Sequence, residues 1–216
     1  IDYSITFACL NQSTYTEKCI RSLESAGIDL SRVVVVDNAS TDNTLEVLRQ
    51  FPKIQIIRNK ENLGCGTAWN QGALALQTEW TIVMNNDVLV APNWVEGLLE
   101  SAVQNSLGMA CPAMVEGSDD YDIPKTLVEF SQKARNQIRF NDRHAVCMLI
   151  HKSVWQKVGY FRSVPSLFGF EDTLFFHELE LHGICTGIVG SSWIHLYGSV
   201  TQRVMKKERG LSNGDV

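Results

Sequence analysis

Four consecutive valines at residues 33–36 constrain the fold more than any other feature of this chain. A wholly apolar, β-branched run is typical of a strand buried on both faces, as strands are in parallel sheets covered by helices. Further strand patterns at residues 5–10, 54–57 and 80–84 alternate with helix patterns. This alternation predicts a single α/β domain, Rossmann-like, with a mostly parallel central sheet flanked by helices.

The helix patterns consist of apolar residues at three- and four-residue spacing. The residues predicted to face inward are Tyr15, Cys19, Ile20, Leu23 and Ala26 in the first helix, Leu45, Leu48 and Phe51 in the second, Ala68, Trp69, Ala73 and Leu76 in the third, and Trp94, Leu98, Leu99 and Val103 in the fourth. Gly27 is predicted to end the first helix, and Pro92 suits the first turn of the fourth.

Length and composition predict one globular domain. The chain has 216 residues, 44% of them apolar and 20% charged, which is enough to bury a sizeable core. Its formal charge of -5 gives no general attraction to nucleic acid, so nucleic acid is a disfavoured partner. Nucleic acid is not excluded, because the chain has a local basic cluster. Its members are Lys125, Lys133, Arg135, Arg139 and Arg143.

The expected location is the cytoplasm, either free or peripheral to the inner face of a membrane. The six cysteines form no C-x-x-C pair and fit buried free thiols in a reducing compartment. No apolar run approaches the roughly 18 residues of a membrane span, and no signal-peptide pattern opens the chain. Because residue 1 is not methionine and residues 206–216 end without a closing element, the chain could be a fragment of a longer protein.

The regular alternation breaks after residue 112. Residues 115–143 are polar and weakly periodic, which predicts a long functional excursion or a partly mobile segment more than core. Strand patterns return at residues 145–150 and 184–189, and His195 is predicted to lie beyond the last strand.

Two loops after predicted strands carry groups that suit a ligand at the sheet edge. Asp37 directly follows the second strand and can accept hydrogen bonds from a base or ribose, or serve an Asx turn or a helix cap. Residues 62–66 (NLGCG) expose backbone N–H groups that could bind phosphate, or form only a tight turn. They lack the third glycine of a dinucleotide fingerprint, which disfavours an NAD-dependent enzyme.

Asp87 follows the fourth strand, in the sequence NND at residues 85–87. Asn85 and Asp87 are two residues apart and are predicted to project to the same side. A divalent cation that keeps one or two protein carboxylates and completes its shell with substrate phosphates would suit this place. A solvated turn is the alternative.

Glu171 and Asp172 open another helix pattern. Acids in a first turn often only complement the helix dipole. Here aromatic residues flank the pair on both sides, which favours a cleft in which a carboxylate accepts a proton. Of the five histidines, His195 could return to the sheet edge and complete a cation site with Asp87, although a lone histidine is usually structural or exposed.

These elements together resemble the family 2 glycosyltransferases with the A-type nucleotide-sugar-binding fold. Five strings carry the resemblance, in order, over residues 3 to about 200: VVVVDNASTD at 33–42, NLGCGTAWNQG at 62–72, MNNDV at 84–88, GFEDTL at 169–174 and HLYGS at 195–199. The resemblance implies an inverting, hexosyltransferase-type enzyme, in a family many of whose members build polysaccharides. It further implies a nucleotide-sugar-binding half at residues 1–112, an acceptor and catalytic half at 113–205, and a tail at 206–216.

The resemblance also assigns roles to residues. The implied site for the nucleotide-diphosphate sugar, expected to be a UDP-sugar, contains Ala8, Asn11, Asp37, Asn62, Gly64, Asn86 and Asp87. Asp87 and His195 would bind Mn²⁺ or Mg²⁺. Asp172 matches the family's catalytic base, and Glu171 matches its acidic neighbour. Asn85 departs from the pattern, because it replaces the first acid of the D-x-D element and should weaken metal affinity.

The implied reaction is sugar transfer with inversion. Asp172 removes the proton of an acceptor hydroxyl as its oxygen attacks the anomeric carbon from the face opposite the nucleotide. The cation offsets charge on the departing diphosphate. The acceptor would be a hydroxyl of a glycan, a lipid-linked sugar or another glycoconjugate, and residues 115–143 are the candidate for shaping its side.

Two other functions remain open at this point. One is a non-catalytic nucleotide-sugar- or glycan-binding module on the same fold, which the asparagine at position 85 favours and Asp172 with His195 disfavours. The other is a sugar-phosphate nucleotidyltransferase, for which the first strand lacks a following glycine-rich basic loop.

Overall fold

The computed structural model describes residues 1–162 and 170–198, which form a nine-stranded sheet with helices on both faces. The strands are β1 (Tyr3–Cys9), β2 (Val33–Asp37), β3 (Gln55–Arg58), β4 (Trp80–Met84), β5 (Val88–Val90), β6 (Met109–Glu116), β7 (Ile138–Phe140), β8 (Cys147–His151) and β9 (Thr186–Leu196). The helices are α1 (Ser13–Ser25), α2 (Thr44–Leu48), α3 (Cys65–Leu76), α4 (Trp94–Gln104), α5 (Ile123–Lys133), α6 (Lys152–Val158) and α7 (Glu171–Leu181).

The strand order is β3-β2-β1-β4-β8-β6-β9-β5, and β7 also pairs with β9. The first four strands in this order are parallel to one another. Beyond them, β8 runs antiparallel between β4 and β6, β6 and β9 are parallel, and β5 and β7 lie antiparallel to β9. The predicted α/β domain with a mostly parallel sheet flanked by helices is confirmed.

Two hydrophobic clusters cover opposite faces of the sheet. Val33 and Val35 belong to the larger cluster, which also contains the buried residues of α1, α2 and α4. Val34 and Val36 are equally inaccessible on the other face, where α3, α6 and α7 form the second cluster with the sheet. The valine run is therefore buried on both faces, as its composition predicts.

The carboxyl ends of β1, β2 and β4 meet at one edge of the sheet, here called the carboxyl rim. The rim carries Asn11, Asp37 and the 85–87 loop, which follow these strands. Because β8 is antiparallel to β4, β8 begins at this rim, and Asn85 N donates a hydrogen bond to Val146 O at 2.9 Å. The rim thus continues from the parallel strands to the residues that precede β8.

The expectation of a long excursion at residues 115–143 is wrong. This segment completes β6, forms α5 and adds β7 to the sheet. The Asp122 side chain accepts a hydrogen bond from Lys125 N and so caps α5, and Ile123 and Leu127 are its buried residues. Ile123, Leu127 and Phe130 stand at i, i+4 and i+7, so α5 carries an apolar stripe that was overlooked among the surrounding polar residues.

Two further details differ from expectation. Val103 on α4 is 53% exposed and is not part of the buried stripe. His195 lies within β9 and not beyond it, because the strand continues through Ser191 and Ser192, whose polarity interrupts the apolar pattern. Residues 163–169 and the predicted tail at 206–216 lie outside the described residues.

All six cysteines, each in the described part of the chain, are free, and Cys185 is exposed, contrary to the expectation of buried thiols. In the described ranges, no helix has the length and apolar character that crossing a membrane requires.

Close packing of α3 on β1 depends on Gly72. A Cβ atom at Gly72 would overlap with Thr6 Oγ1 and lie 2.7 Å from Thr6 Cβ. We expect Gly72→Ala to lower the free energy of unfolding by about 1–3 kcal/mol, measured by urea denaturation. Leu74→Ala, at an exposed position of the same helix, is the control and should change it by less than about 0.5 kcal/mol. Equal midpoints for both variants would contradict this close approach.

Candidate functional site

Asn11 joins the first two loops of the carboxyl rim. Its backbone N donates to Ser40 Oγ at 2.8 Å, and its Oδ1 accepts from Thr41 N at 2.8 Å and from Asp42 N at 3.2 Å. The backbone of Asn11 has a φ of 56°, a left-handed conformation that asparagine tolerates well. The side chain predicted to line the nucleotide pocket therefore also fixes the shape of the loop after β2.

Asp37 is a fully buried carboxylate with one oxygen available to a ligand. Oδ1 accepts a hydrogen bond from Ser40 N at 2.9 Å, the turn role that the sequence left open. Oδ2 has no hydrogen-bond partner, and Arg58 Nε lies 3.5 Å from it as an ion-pair partner. Ala8, on the adjacent strand, is half-buried beside this position. An N–H group of a ligand could satisfy Oδ2.

Asn38 connects Asp37 to the turn before α3. Its Nδ2 donates to Asn62 Oδ1 at 2.7 Å and to Gly64 O at 3.3 Å, and its Oδ1 accepts from Asn59 Nδ2 at 3.0 Å and Leu63 N at 3.1 Å. These bonds bring the predicted residues Asn62 and Gly64 beside Asp37. Sequence reasoning missed Asn38, since one asparagine in a polar loop gives no signal of burial.

Glu171 is buried against the start of α3. Its Oε1 accepts a hydrogen bond from Gly66 N at 3.3 Å, and its Oε2 is buried without a partner. A Cβ on Gly66 would lie only 3.0 Å from Glu171 Cβ and 3.3 Å from Phe161 Cβ. Glycine at this position lets α3 and α7 approach each other. Glu171 is therefore not a surface acid that merely complements a helix dipole.

Asp172 is partly exposed in the first turn of α7, and its Oδ1 accepts a hydrogen bond from Thr173 N at 2.8 Å. It lies near the start of α3 as well, because the adjacent Glu171 accepts a hydrogen bond from Gly66 N there. Burial, and then the charges of Glu171 and Asp172, raise the pKa of the Cys65 thiol. The structure thus brings Asp172 to the same end of the sheet as Asp37.

The 85–87 loop is tied to its neighbours. Asn86 Nδ2 donates to Thr16 Oγ1 at 3.0 Å, and both residues are buried. This hydrogen bond holds the Asn86 side chain against α1. Asp87 is also buried, and its backbone O accepts from Tyr197 N at 3.1 Å.

Pairing of β5 with β9 sets the relation between Asp87 and His195. Leu89 lies opposite His195, and the backbone bond from Tyr197 places that residue opposite Asp87. Asp87 and His195 are therefore diagonal neighbours on one face, a placement for which Cα atoms lie about 7–8 Å apart. The register thus places the two predicted cation ligands near each other at this end of the sheet.

The His195 ring is fully buried. Its Nδ1 lies 2.8 Å from Tyr121 Oη, and its Nε2 has no hydrogen-bond partner. Burial lowers the pKa of His195, while the charge of Asp119 and a weak hydrogen-bonding contact with the Gly117 backbone, short of hydrogen-bond geometry, act in the opposite direction. A neutral imidazole with one unpartnered nitrogen is the form that binds a cation. Tyr121 was not anticipated from the sequence.

The described ranges contain no group of three or more His, Cys, Asp or Glu side chains that could hold a metal ion. The pair formed by Asp87 and His195 fits a cation that takes few protein ligands and completes its shell with phosphate oxygens and water. The unpartnered Nε2 of His195 supports this fit.

A second cluster that the sequence did not reveal borders His195. Lys18 Nζ and Tyr197 Oη each donate to Asp119 Oδ2 at 2.7 Å. These two bonds lower the pKa of Asp119 to about 2. The cluster lines a cleft of about 460 Å³ between α1 and the start of α5, and it ties α1 to the segment that follows β6.

Comparison with known sequences gives a family match. Residues 4–164 match the family described as "Glycosyl transferase family 2". The putative glycosyltransferase EpsH of Bacillus subtilis is 25% identical over 131 residues, 57% of this chain and 38% of that protein. An N-acetylglucosaminyl-diphospho-decaprenol L-rhamnosyltransferase of Mycobacterium tuberculosis is 31% identical over 100 residues, 41% of this chain and 33% of that protein. The chain spans about a third to two fifths of the length of these relatives.

Solved structures show the same fold. The crystal structure of S. aureus TarS 1-349 has a TM-score of 0.70 at 14% identity and covers 100% of this chain and 67% of that chain. The complex of TarS 1-349 with UDP-GlcNAc has a TM-score of 0.69 at 15% identity, covering 91% of this chain and 58% of that chain. Since the family match includes about three quarters of its residues, the chain belongs to glycosyl transferase family 2.

Proposed function

We propose that this chain transfers a sugar, with inversion, from a UDP-sugar to a hydroxyl of a glycan or glycoconjugate. The observation that carries the proposal is that Asp37, Asp87 and Asp172 lie at one end of the sheet in a chain of this family. Relatives named as glycosyltransferases and a structural neighbour crystallised with UDP and UDP-GlcNAc support a UDP-sugar as donor.

The nucleotide binds beside β1 and β2 in this proposal. Asp37 Oδ2 accepts an N–H of the base, which satisfies the one carboxylate oxygen that lacks a hydrogen bond. Ala8 and Asn11 line the same pocket. Asn38 holds the Asn62–Gly64 turn beside Asp37.

Asp172 acts as the general base. It accepts the proton of the acceptor hydroxyl while that oxygen forms a bond to the anomeric carbon, and the bond from that carbon to the diphosphate oxygen breaks. Glu171 positions Asp172, because its bond to Gly66 N fixes the first turn of α7 on the start of α3. The direction of attack, opposite the departing UDP, gives inversion.

Asp87 and His195 hold a divalent cation, Mn²⁺ or Mg²⁺, in this proposal. When bound, the cation offsets the negative charge that grows on the departing diphosphate. Asn85 supplies no charge, so Asp87 is the one carboxylate of the D-x-D element. Asn86 supports this loop from α1 through its bond to Thr16.

The acceptor binds to the half formed by residues 113–205, next to the donor half formed by residues 1–112. Within the basic cluster, Arg135, Arg139 and Arg143 each form an ion pair with an acid. This local neutralisation argues against a nucleic acid as acceptor and leaves a neutral glycan or a lipid-linked sugar as the better match. We place the reaction in the cytoplasm or at the inner face of a membrane.

Nucleotide binding should depend on the charge of Asp37. Asp37→Asn keeps an oxygen for Ser40 N but weakens the charge-assisted bond to the base, so the Kd for UDP should rise about tenfold or more by calorimetric titration. Glu46→Gln, an exposed change on α2, is the matched control. An unaltered Kd in Asp37→Asn would place the base elsewhere.

Turnover should depend on Asp172 more than donor binding does. Asp172→Asn retains an oxygen for Thr173 N, and release of UDP should fall about 10²-fold or more while the Kd for the UDP-sugar stays the same. The assay uses the UDP-sugar that raises the melting temperature most in a screen. Glu129→Gln serves as the control. Wild-type turnover in Asp172→Asn would remove this residue as the base.

The cation should be needed for both binding and turnover. Exhaustive chelation should abolish UDP release, and added Mn²⁺ should restore it. Asp87→Asn should also weaken Mn²⁺ binding in the presence of UDP, read by electron paramagnetic resonance. A full rate after chelation would show that no essential cation is held here.

The alternative of a non-catalytic binding module has a distinct outcome. Such a module would bind UDP and a UDP-sugar with wild-type dependence on Asp37, yet release no UDP under any metal condition. Asp172 is present and partly exposed, which favours a catalytic protein over a module that only binds.

A further inference from the structure

His144 occupies a place on the carboxyl rim that the proposed reaction has not used. It lies just before β8, the strand next to β4. The bond from Asn85 N to Val146 O holds this segment beside the 85–87 loop. His144 therefore lies on the rim next to the 85–87 loop, between β4 on one side and β6 and β9 on the other, and β9 carries His195.

The hydrogen bond of His144 fixes its tautomer. Its Nε2 lies 2.8 Å from Pro112 O, and a carbonyl oxygen can only accept, so Nε2 carries the hydrogen. Burial lowers the pKa of His144, against the opposing effects of Pro112 O and Asp142, so the ring is neutral at pH 7. Nδ1 then has a lone pair and no hydrogen. It is buried and has no partner.

An acceptor left in this state is unfavourable until a donor reaches it. The contrast with His151 and His182 is informative, because their Nδ1 atoms hydrogen bond to Ser153 Oγ at 2.7 Å and to Glu178 O at 2.9 Å. His144 therefore differs from these two histidines and shares with His195 a buried ring nitrogen that has no partner.

The segment around His144 also lies beside the catalytic helix. The neighbouring Arg143 guanidinium lies 5.2 Å from the centre of the Phe176 ring and pairs with Glu180. Asp172, Phe176 and Glu180 are four residues apart in turn, so they share one face of α7. The residues before β8 therefore run along the helix face that carries Asp172.

The start of β8 lies beside the 85–87 loop, at which the diphosphate is proposed to bind. In the proposed function the base binds at β2 and the diphosphate at β4, and the sugar follows the diphosphate. The next strand along the rim is β8. We propose that His144 Nδ1 accepts a hydrogen bond from a hydroxyl of the donor sugar and so helps to select that sugar. This inference rests on the proposed function.

Recognition of this kind discriminates against sugars that lack the hydroxyl or point it elsewhere, because the buried acceptor is then left unpaired. His144 takes no proton during the transfer. It is a specificity-determining residue that acts on the affinity for the sugar and not on the affinity for UDP.

The test compares UDP with UDP-sugars in His144→Gln. A glutamine amide can donate to Pro112 O from near the place of Nε2 but has no atom at the place of Nδ1, so packing is kept and the acceptor is lost. Calorimetric titration with UDP and with UDP-glucose, UDP-galactose and UDP-GlcNAc should show an unchanged Kd for UDP. The Kd of the tightest UDP-sugar should rise about five- to tenfold.

His151→Gln is the matched control, since His151 ends the same strand at the opposite edge of the sheet. It should change neither Kd. If His144→Gln keeps the wild-type ratio between the Kd of UDP and that of the UDP-sugar, the inference is wrong. The inference is also wrong if the wild type binds every one of these UDP-sugars no more tightly than it binds UDP. Failure of the wild type to bind UDP at all would instead overturn the proposed function, and these outcomes are separable within one set of titrations.

Discussion

Parallel pairing of β1 with both β2 and β4 is the constraint on which the rest of the site depends. The loops that follow parallel strands lie at the same edge of the sheet, so residues far apart in sequence lie close together there. The antiparallel entry of β8 beside β4 then adds a fourth segment to that edge from the opposite direction. Side-chain amides complete the arrangement, because Asn11 and Asn38 bind the backbones of neighbouring loops and hold them in place.

Much of this fold could be predicted from the sequence because its signals are local. The valine run and the alternating helix stripes indicate burial directly. Asp37 and Asp87 each follow a recognisable strand pattern, and Asp172 lies at the start of a helix pattern. Helix α5 was missed although Ile123, Leu127 and Phe130 form an apolar stripe, because this short pattern is surrounded by polar and charged residues. The extension of β9 to His195 was not predicted, because Ser192 is buried in the strand although it is polar.

The missed parts of the site have a common physical cause. Asn38 and Tyr121 act through hydrogen bonds to residues distant in the chain, and such partners are set by the assembled sheet and not by neighbouring sequence. The turn at 62–66 is a related case. Its glycines suggested bound phosphate, and the structure adds a contact that the sequence did not indicate, the close approach of Glu171 to Gly66.

That contact has an evolutionary consequence. The residue at position 66 is restricted by a side chain 105 positions later in the chain, because the two occupy the same small volume between α3 and α7. Selection therefore acts on the pair and not on either residue alone. Descendants that replace Glu171 with a smaller side chain gain room for a side chain at position 66, whereas lineages that keep the glutamate are held to glycine there. Positions 66 and 171 are expected to covary across the family for steric reasons, independently of what either contributes to the donor.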